Sequence, residues 1–477
     1  MTNPITDFAK SDCIRVIGSN FAENHPIIAR WVLDAKQRGA TIIVADPRFT
    51  STAWSADIFL PLMPGTDVSL LNAMMHVIIR EKLHNTEFIA NRTTGFDAVA
   101  QVVQSYSPEQ AEQLTHVSAD RIIAAARAYA TAKSASIIYC MGVTQHTCGT
   151  ETVINCANLA MLCGQIGRPG TGVNPLRGQD NVQGACDMGA LPSFYPGYQS
   201  VSDSTMRGKF ASAWGCPPDQ LSSKPGLTLV EMTNAADRGD IRAMLIMGEN
   251  PIVGDPNSHH VKQALERLDF LAVIELFMSE TAELADVILP AASFAEKRGT
   301  KTATDRRVQW MEHAIAPLGE AHHDWRVVCD LAYQLGLSPY FEYENEEEIF
   351  AEIARVTPSY AGITPARLQA TPGGIPWPCP SADHPGTPIL YTDGFKKPDG
   401  RGVMTPIEYH QAVEQTSAEY PLVLTNGRVV MHYNAGAMTR RTRALMNREP
   451  SLFVQLNPET AKRYGITNGL AKVITRR

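Results

Sequence analysis

The stretch Asn174-Pro-Leu-Arg-Gly-Gln-Asp-Asn-Val-Gln-Gly-Ala-Cys-Asp-Met-Gly189 places one arginine, Arg177, among side-chain amides and glycines. Glycines let the backbone approach a ligand closely, and the amides of Gln179, Asn181 and Gln183 offer donors and acceptors together. Arg177 adds a planar, permanently charged group that binds a carboxylate through two hydrogen bonds. Segments rich in glycine and asparagine are more often plain surface turns. The string as a whole nevertheless indicates a loop that binds a ligand rich in heteroatoms.

Two short apolar segments near the N-terminus are typical of strands in a nucleotide-binding sheet. Residues 14–17 and 40–45 are mostly apolar, with Arg15 and Thr41 as the exceptions, and a predicted helix separates them. Asn20 follows the first predicted strand, and Asp46 follows the second. Ligands of open α/β sheets bind at the carboxyl ends of the strands, where Asp46 would accept hydrogen bonds from ribose hydroxyls. Because there is no G-x-G-x-x-G motif, this unit by itself also fits an ordinary α/β core.

The same strand pattern recurs after the arginine loop. Residues 242–247 and 270–277 are predicted strands, with Glu275 near the end of the second, and residues 285–290 supply a third. This duplication is what the binding of two dinucleotides would require. Beyond an acidic helix and a proline-rich connector lie three further predicted strands: residues 421–428, 452–456 and 470–474.

The composition is that of a large folded protein. The chain has 477 residues, 44% hydrophobic and 19% charged, which suffices for about three domains. Its 42 basic and 49 acidic residues give a net charge of −7, which does not favour a nucleic-acid partner. The first residues lack the basic and apolar regions of an export signal. An odd number of cysteines, nine, argues against a disulfide scaffold, so we expect a reducing, cytoplasmic compartment.

Six further motifs accompany the arginine loop: Ile17-Gly-Ser-Asn20, Ala45-Asp-Pro-Arg48, Met141-Gly-Val-Thr-Gln145, Met247-Gly-Glu-Asn-Pro251, Ala285-Asp-Val-Ile-Leu-Pro290 and Gly427-Arg428. This ordered series resembles the catalytic (alpha) subunit of molybdenum or tungsten formate dehydrogenases of the formate dehydrogenase H type. Those enzymes belong to the DMSO reductase superfamily, whose cofactor is bis(molybdopterin guanine dinucleotide). The series extends over the whole chain and is far more specific than any one of its motifs.

The resemblance implies an α/β molybdopterin oxidoreductase fold. It comprises two dinucleotide-binding-like αβα domains and a partial C-terminal β-barrel. The implied boundaries are a first αβα domain, a second αβα domain, a return to the iron–sulfur cap region with a connector, and a truncated dinucleotide-binding barrel: residues 1–179, 180–291, 292–387 and 388–477.

One catalytic residue follows from the resemblance, Arg177, which would bind the carboxylate of formate and orient its C–H bond toward the metal centre. At two of the implied cofactor positions, Glu23 and Asn250, relatives often carry aspartate. No residue of the chain is expected to ligate the metal. The full implied set of cofactor-binding residues is Asn20, Glu23, Asp46, Arg48, Gly65, Asp67, Met141, Gly142, Gln145, Gly178, Gln179, Gly248, Asn250, Glu275, Asp324, Arg428 and His432.

Two features of the family are missing from the sequence. Family members begin with a C-x-x-C-x-x-x-C motif for a 4Fe-4S cluster, followed by the cysteine or selenocysteine that ligates molybdenum or tungsten. Here no two cysteines are separated by only two residues, which excludes the standard cluster motif. We therefore expect an internal fragment, with both features upstream of Met1 and no activity of the chain alone.

The implied reaction is the oxidation of formate to CO2, with two electrons passing to an electron-transfer subunit or a redox protein. Two other functions stay open. A nitrate reductase-like molybdopterin oxidoreductase would keep the cofactor contacts, although the string from Arg177 to Gly184 favours formate dehydrogenase. A non-catalytic, cofactor-binding fragment would fit the absence of the metal ligand.

Overall fold

The computed structural model describes residues 1–476, in which short strands alternate with helices. The strands are β1 Cys13–Ile17, β2 Thr41–Ala45, β3 Ile58–Leu60, β4 Thr93–Thr94, β5 Ala135–Tyr139, β6 Gly172–Pro175, β7 Phe194–Tyr195, β8 Gln199–Ser200, β9 Ala243–Met247, β10 Phe270–Glu275, β11 Val287–Pro290, β12 Gly299–Thr302, β13 Arg307–Met311, β14 Ile375–Pro376 and β15 Gly402–Val403.

The α-helices are α1 Phe21–Asn24, α2 Pro26–Gln37, α3 Asp67–Arg80, α4 Thr86–Arg92, α5 Phe96–Val103, α6 Pro108–Thr115, α7 Ala119–Thr131, α8 Met141–Thr144, α9 Gly149–Leu162, α10 Val182–Asp187, α11 Ser204–Trp214, α12 Leu229–Arg238, α13 Pro251–Gly254, α14 Ser258–Glu266, α15 Asp324–Gln334, α16 Glu346–Val356, α17 Pro365–Gln369, α18 Arg443–Met446 and α19 Pro458–Arg463. Among residues 1–476, no helix combines the length and the apolar composition that crossing a membrane requires.

Five parallel strands form the first sheet, in the order β3-β2-β1-β5-β6. Strands buried on both faces are rich in β-branched and apolar residues, as β1 and β2 are. Along β1, Cys13 and Ile17 pack in one core with α3, α7 and α9, whereas Ile14 and Val16 pack in another with α2. The sheet therefore lies between two helical layers, and the predicted first αβα unit is confirmed.

A second parallel sheet has the order β11-β10-β9, which confirms the strands predicted in this region. Val261 of α14 and Leu271 of β10 belong to the same buried cluster, and α12 packs against α14. On the opposite face, Leu245 and Met247 of β9 are 52% and 54% exposed. Within the described residues, helices thus cover one face of this sheet.

Three C-terminal strands predicted from the sequence are not formed: residues 421–428, 452–456 and 470–474. Residues 404–476 contain α18 and α19 but no strand, and Leu424, Leu452 and Ile474 are all more than 60% exposed. A strand needs a neighbour that takes up its N–H and C=O groups and a buried face for its side chains. Because these segments find neither within residues 1–476, the prediction of strands was wrong for the described chain.

Three buried asparagines hold the segment before these residues on the first domain. Nδ2 of Asn155 donates to Oδ1 of Asn72 (2.8 Å), and Nδ2 of Asn158 donates to Oδ1 of Asn155 (3.0 Å). The ends of this ladder bind the backbone at Ile407 and Thr405. The amide ladder therefore fixes where the C-terminal part of the chain leaves the first domain.

Arg306, in the turn between β12 and β13, has a side chain that is almost completely buried. Its guanidinium donates hydrogen bonds to five carbonyl groups, so nearly all of its donors are satisfied. Burial lowers the pKa of Arg306 to about 10, which leaves it charged at neutral pH. The five carbonyls belong to Met1 (2.8 Å), Thr2 (3.4 Å), Trp377, Thr387 (2.9 Å) and Pro388 (2.8 Å).

Arg15, in the middle of β1, is the opposite case. Its side chain is 0% exposed, yet none of its three guanidinium nitrogens has a hydrogen-bond partner among residues 1–476. Burial lowers the pKa of Arg15. An unpartnered buried charge costs stability because no protein group replaces the lost water.

We predict that Arg306→Met lowers the free energy of unfolding by about 3–5 kcal/mol, because it removes all five hydrogen bonds between the buried guanidinium and backbone carbonyls. Urea unfolding followed by circular dichroism measures the change. Arg355→Met is the matched control, since Arg355 forms only an exposed ion pair with Glu352, and should cost less than about 1 kcal/mol. Equal effects of the two substitutions would contradict this role of Arg306.

Replacement of Arg15 is expected to change the free energy of unfolding in the opposite direction. Replacement by methionine, which has a similar length and no charge, should raise the free energy of unfolding by about 1–4 kcal/mol. The same urea titration, with the unchanged chain beside the variant, measures the gain. A loss of stability in Arg15→Met would show that the guanidinium is stabilised in the fold.

Candidate active site

Polar residues gather at the carboxyl edge of the first sheet. Because its strands are parallel, the residues that follow β1, β2, β5 and β6 lie along one edge. Asn20 accepts a hydrogen bond from the Thr52 hydroxyl (2.9 Å), and Glu23 accepts one from the Ser51 hydroxyl (2.6 Å). Asp46 accepts one from the backbone N–H of Arg48 (2.8 Å), and burial raises the pKa of its carboxyl group. The predicted grouping of strand ends is thus present.

Two glycines bring the turns after β1 and β5 into direct contact. The Gly142 N–H donates to the Gly18 carbonyl at 3.0 Å, and Gly18 has a φ of +56°. A Cβ atom at Gly142 would lie 2.7 Å from that carbonyl oxygen, which no real side chain tolerates. The absence of a side chain at Gly142 therefore serves a contact with Gly18.

Arg177 follows β6 and projects from a fixed backbone. Its N–H donates to Oγ1 of Thr304 (3.2 Å), and its carbonyl accepts from Nε2 of His25 (2.7 Å). Nη1 of Arg177 contacts Sγ of Cys186 at 3.8 Å. Nε is buried without a hydrogen-bond partner, and Arg177 forms no ion pair within residues 1–476. The guanidinium therefore keeps donors for an anion that the chain itself does not supply.

The two residues after Arg177 differ in environment. Gly178 has only an atom of Asn434, at 3.8 Å, near the place where a Cβ would be, and its carbonyl accepts from the Tyr433 hydroxyl (3.0 Å). Gln179 is exposed. The space beside Gly178 is open, as close approach of a ligand to the backbone requires.

Two arginines distant in sequence meet near α8. Arg428 contacts Sδ of Met141 through Nη2 at 3.5 Å, and Arg48 lies directly on Gly427, the residue before Arg428. Neither Arg48 nor Arg428 forms an ion pair within residues 1–476. Guanidinium groups with free donors suit the phosphates of a dinucleotide, so the residues present fit the implied cofactor here.

The loop before α3 supplies a buried carboxylate. Gly65 has a φ of +83°, and Asp67 is the first residue of α3. Burial raises the pKa of Asp67 to about 6, although nearby His146 and Arg15 act in the opposite direction. Gln145, at the end of α8, is exposed.

Several expected cofactor residues already have partners within the chain. Asn250 accepts from the N–H and hydroxyl of Thr281 (3.2 and 2.8 Å) and donates to Glu280 (2.7 Å). Asp324 forms an ion pair with Lys297. These contacts position the loop after β9 and the start of α15.

Three further residues of the expected cofactor-binding set, His432, Glu275 and Gly248, also form hydrogen bonds within the chain. Both ring nitrogens of His432 are engaged, one with the Thr439 hydroxyl (3.3 Å) and one with the Glu449 carbonyl (2.8 Å). Glu275 accepts from the N–H of its neighbour (2.6 Å), and Gly248, whose N–H binds the Ile274 carbonyl (2.9 Å), has open space where a Cβ would lie. His432 therefore has no ring nitrogen left for a ligand in this arrangement.

Sequence reasoning missed two residues that hold the arginine loop. His25 supports the carbonyl of Arg177, and its one signal was its place directly before Pro26 at the start of α2. Asp187 is buried at the end of α10 and accepts three side-chain hydrogen bonds. The sequence shows that Asp187 belongs to the arginine loop, but it does not show that Tyr360 is its partner.

The sequence is similar to known families and proteins along its whole length. Residues 1–334 match the family described as Molybdopterin oxidoreductase, and residues 422–477 match the Molydopterin dinucleotide binding domain. The chain is 50% identical to the F420-dependent formate dehydrogenase subunit alpha of Methanocaldococcus jannaschii, over all of this chain and 70% of that protein. It is 43% identical to formate dehydrogenase H of Escherichia coli, over 98% of this chain and 65% of that protein.

A relative with another activity is more distant. The assimilatory nitrate reductase catalytic subunit of Bacillus subtilis is 40% identical over 98% of this chain and 66% of that protein. The solved structure of acetylene hydratase from Pelobacter acetylenicus superposes with a TM-score of 0.77 at 22% identity, over 97% of this chain and 67% of that one, which shows the shared fold. Since the family match covers more than half of the sequence, the chain belongs to the molybdopterin oxidoreductase family.

Proposed function

We propose that this chain is the catalytic part of a formate dehydrogenase, which converts formate into CO2, one proton and two electrons. The observation that carries the proposal is the Arg177 guanidinium, which is held by its backbone at the sheet edge and has no carboxylate partner in residues 1–476. The relatives named formate dehydrogenase at 50% and 43% identity support it. When bound, the metal of the pterin cofactor supplies the site that accepts the two electrons.

Arg177 binds and orients the substrate in this proposal. Formate is a planar carboxylate, and a guanidinium binds it through two parallel N–H donors. With both oxygens held, the C–H bond points away from Arg177. Restricting the substrate to one orientation lowers the barrier by the orientational freedom that is already lost on binding. The positive charge also favours the anionic substrate over neutral CO2.

We propose bis(molybdopterin guanine dinucleotide), with molybdenum or tungsten, as the cofactor. Arg48 and Arg428 are assigned to its phosphates, since Arg428 contacts Met141, Arg48 lies against Gly427, and neither forms an ion pair within residues 1–476. Asn20 and Asp46 are assigned to guanosine hydroxyls on the strand ends, and Asp67 to the adjoining loop. The other expected residues stay in the proposed set, with Asn250, Asp324 and His432 acting through the loops that they hold.

The remaining components lie outside this sequence in our proposal. These 477 residues contain no C-x-x-C pair, and residues 1–476 contain no cluster of three His, Cys, Asp or Glu side chains that could hold a metal. We assign the 4Fe-4S cluster and the protein ligand of the metal to protein outside these 477 residues, upstream of Met1, so residues 1–477 alone would not turn over. Relatives are named alpha subunits, which supports transfer of the electrons to a further subunit or redox protein. All nine cysteines are free, which supports a cytoplasmic location.

Nitrate reduction is the competing function, because nitrate is also a planar monoanion that Arg177 would bind. The complete enzyme that contains this chain separates the two in one pair of assays. Formate with an oxidised dye tests formate oxidation, and nitrate with a reduced dye tests nitrate reduction. Turnover of nitrate without turnover of formate would overturn the proposal.

We predict that Arg177→Lys in the complete enzyme raises the KM for formate about 10- to 100-fold and lowers kcat, because a lysine presents a point charge in place of a fixed pair of donors. Initial rates with a dye acceptor measure both constants. Arg238→Lys is the control, since Arg238 forms an exposed ion pair with Asp240, and it should leave both constants unchanged. Wild-type kinetics in Arg177→Lys would remove Arg177 from the substrate site.

The buried carboxylate of Asp67 gives a prediction about pH. Its pKa rises from 3.8 to about 6 on folding, so the folded chain binds more protons between pH 4 and pH 6. The free energy of unfolding contributed by Asp67 therefore falls as pH rises through this window. Asp67→Asn should stabilise the chain by about 1–3 kcal/mol at pH 7.5 and have little effect at pH 4.

Urea unfolding at pH 4, 5, 6 and 7.5 measures this gain. Asp219→Asn, an exposed carboxylate, is the control and should show no such pH dependence. In the complete enzyme, the same Asp67→Asn should retain less molybdenum or tungsten by elemental analysis. Full metal content would contradict the assignment of Asp67 to the cofactor.

A further inference from the structure

The carboxylate of Asp187 is the centre of a buried hydrogen-bond network. Oδ1 accepts from Nε2 of Gln183 (2.8 Å) and from the hydroxyl of Tyr198 (2.9 Å), and Oδ2 accepts from the hydroxyl of Tyr360 (2.6 Å). Asp187 is 1% exposed and Tyr360 is 2% exposed. The carboxylate forms no ion pair within residues 1–476, so neutral donors alone hold it.

The network fixes both ends of α10. At its start, Oδ1 of Asn181 accepts from the N–H of Thr302 (2.8 Å). At its end, Asp187 binds Tyr360, whose hydroxyl also contacts Oγ1 of Thr302 (3.0 Å). The same turn of the chain supplies Thr304, which accepts the N–H of Arg177. Arg177 and α10 are therefore both hydrogen-bonded to the same short segment, residues 302–304.

The position of α10 sets the position of the arginine side chain. Cys186, the residue before Asp187, contacts Nη1 of Arg177 at 3.8 Å. Behind α10 lies a cavity of about 160 Å³, lined in part by Gly184, Met188 and Phe350. Met188, the residue after α10, packs against the cluster that contains Phe350 and Tyr360, and hydrogen bonds hold both ends of the helix.

Charge links the same groups. Burial is the largest cause of the raised pKa of the Tyr198 hydroxyl. Asp187 raises this pKa further, and Arg177 lowers it. Burial also raises the pKa of Asp187, and the donors on it act in the opposite direction. Asp187 and Arg177 thus both lie close enough to Tyr198 to act on its hydroxyl.

We propose that Asp187 is a positioning residue for Arg177: through α10 and Cys186 it holds the guanidinium in the orientation that receives a small carboxylate. This inference rests on the proposed function. It assigns to Asp187 no contact with substrate or cofactor. Its effect should appear in substrate binding more than in the rate at saturation, because a tilted guanidinium loses one of two hydrogen bonds to the carboxylate.

The test uses the complete enzyme with Asp187→Asn, which replaces one acceptor oxygen with a donor, and Tyr360→Phe, which removes one donor and keeps the carboxylate. Tyr343→Phe is the matched control, because Tyr343 also donates to a carboxylate, that of Glu352 (3.0 Å), away from the loop. We expect Asp187→Asn to raise the KM for formate about tenfold or more and to change kcat by less than about threefold. Tyr360→Phe should act in the same direction, and Tyr343→Phe should not.

A second readout does not depend on turnover. Phenylglyoxal modifies arginine, and peptide mass spectrometry gives the rate at Arg177. Release of the guanidinium should raise this rate about threefold or more in Asp187→Asn and Tyr360→Phe, since its rate follows exposure and local charge. Should Asp187→Asn fail to fold, Tyr360→Phe carries both measurements.

The outcomes separate the inference from the proposed function. Unchanged labelling of Arg177 in both variants overturns the positioning role, whatever the kinetics. Faster labelling with a raised KM supports both statements. Faster labelling with a wild-type KM supports positioning by Asp187 and overturns the binding of formate by Arg177. Unchanged labelling together with a constant KM and a fall in kcat and thermal stability assigns Asp187 a structural role and overturns the inference.

Discussion

The five hydrogen bonds of Arg306 are the constraint on which the rest of the site depends. They tie the turn at residues 303–306 to the N-terminal residues and to the segment around Thr387. That turn carries Thr304, and Thr302 lies directly before it, so the backbone of Arg177 and both ends of α10 take their positions from it. The buried guanidinium thus holds these separate segments together, because each of its N–H donors binds a carbonyl.

Arg15 shows that burial of a charge is not sufficient for such a role. It lies in the central strand of a sheet covered on both faces, and no group takes up its donors among the described residues. The same residue type is therefore expected to stabilise the fold at one position and to destabilise it at another. The difference lies in the geometry of the surrounding carbonyls, which composition does not reveal.

The sequence was sufficient for features that depend on local pattern. Continuous apolar segments predicted β1, β2, β9 and β10, and the residues after them reach the expected edge. Arg177 was recognised from the amides and glycines that follow it in the sequence and from the family resemblance of that string. The links from Asp187 to Tyr360 and from Thr304 to Arg177 join residues far apart in the chain, and no periodicity encodes them. The prediction of C-terminal strands was wrong for a related reason, since a local segment of sequence does not specify the neighbouring strand that it needs.

The contact between Gly18 and Gly142 has a consequence for how this sequence can change over time. Most packed contacts tolerate drift, because a larger side chain on one element is compensated by a smaller one opposite. Here the contact joins two backbone segments, so no change of side-chain size at one glycine can compensate for a change at the other. Substitution at Gly142 requires a new path for the main chain between the first and fifth strands. The junction at the centre of the sheet edge is therefore expected to stay constant while the surrounding residues diversify.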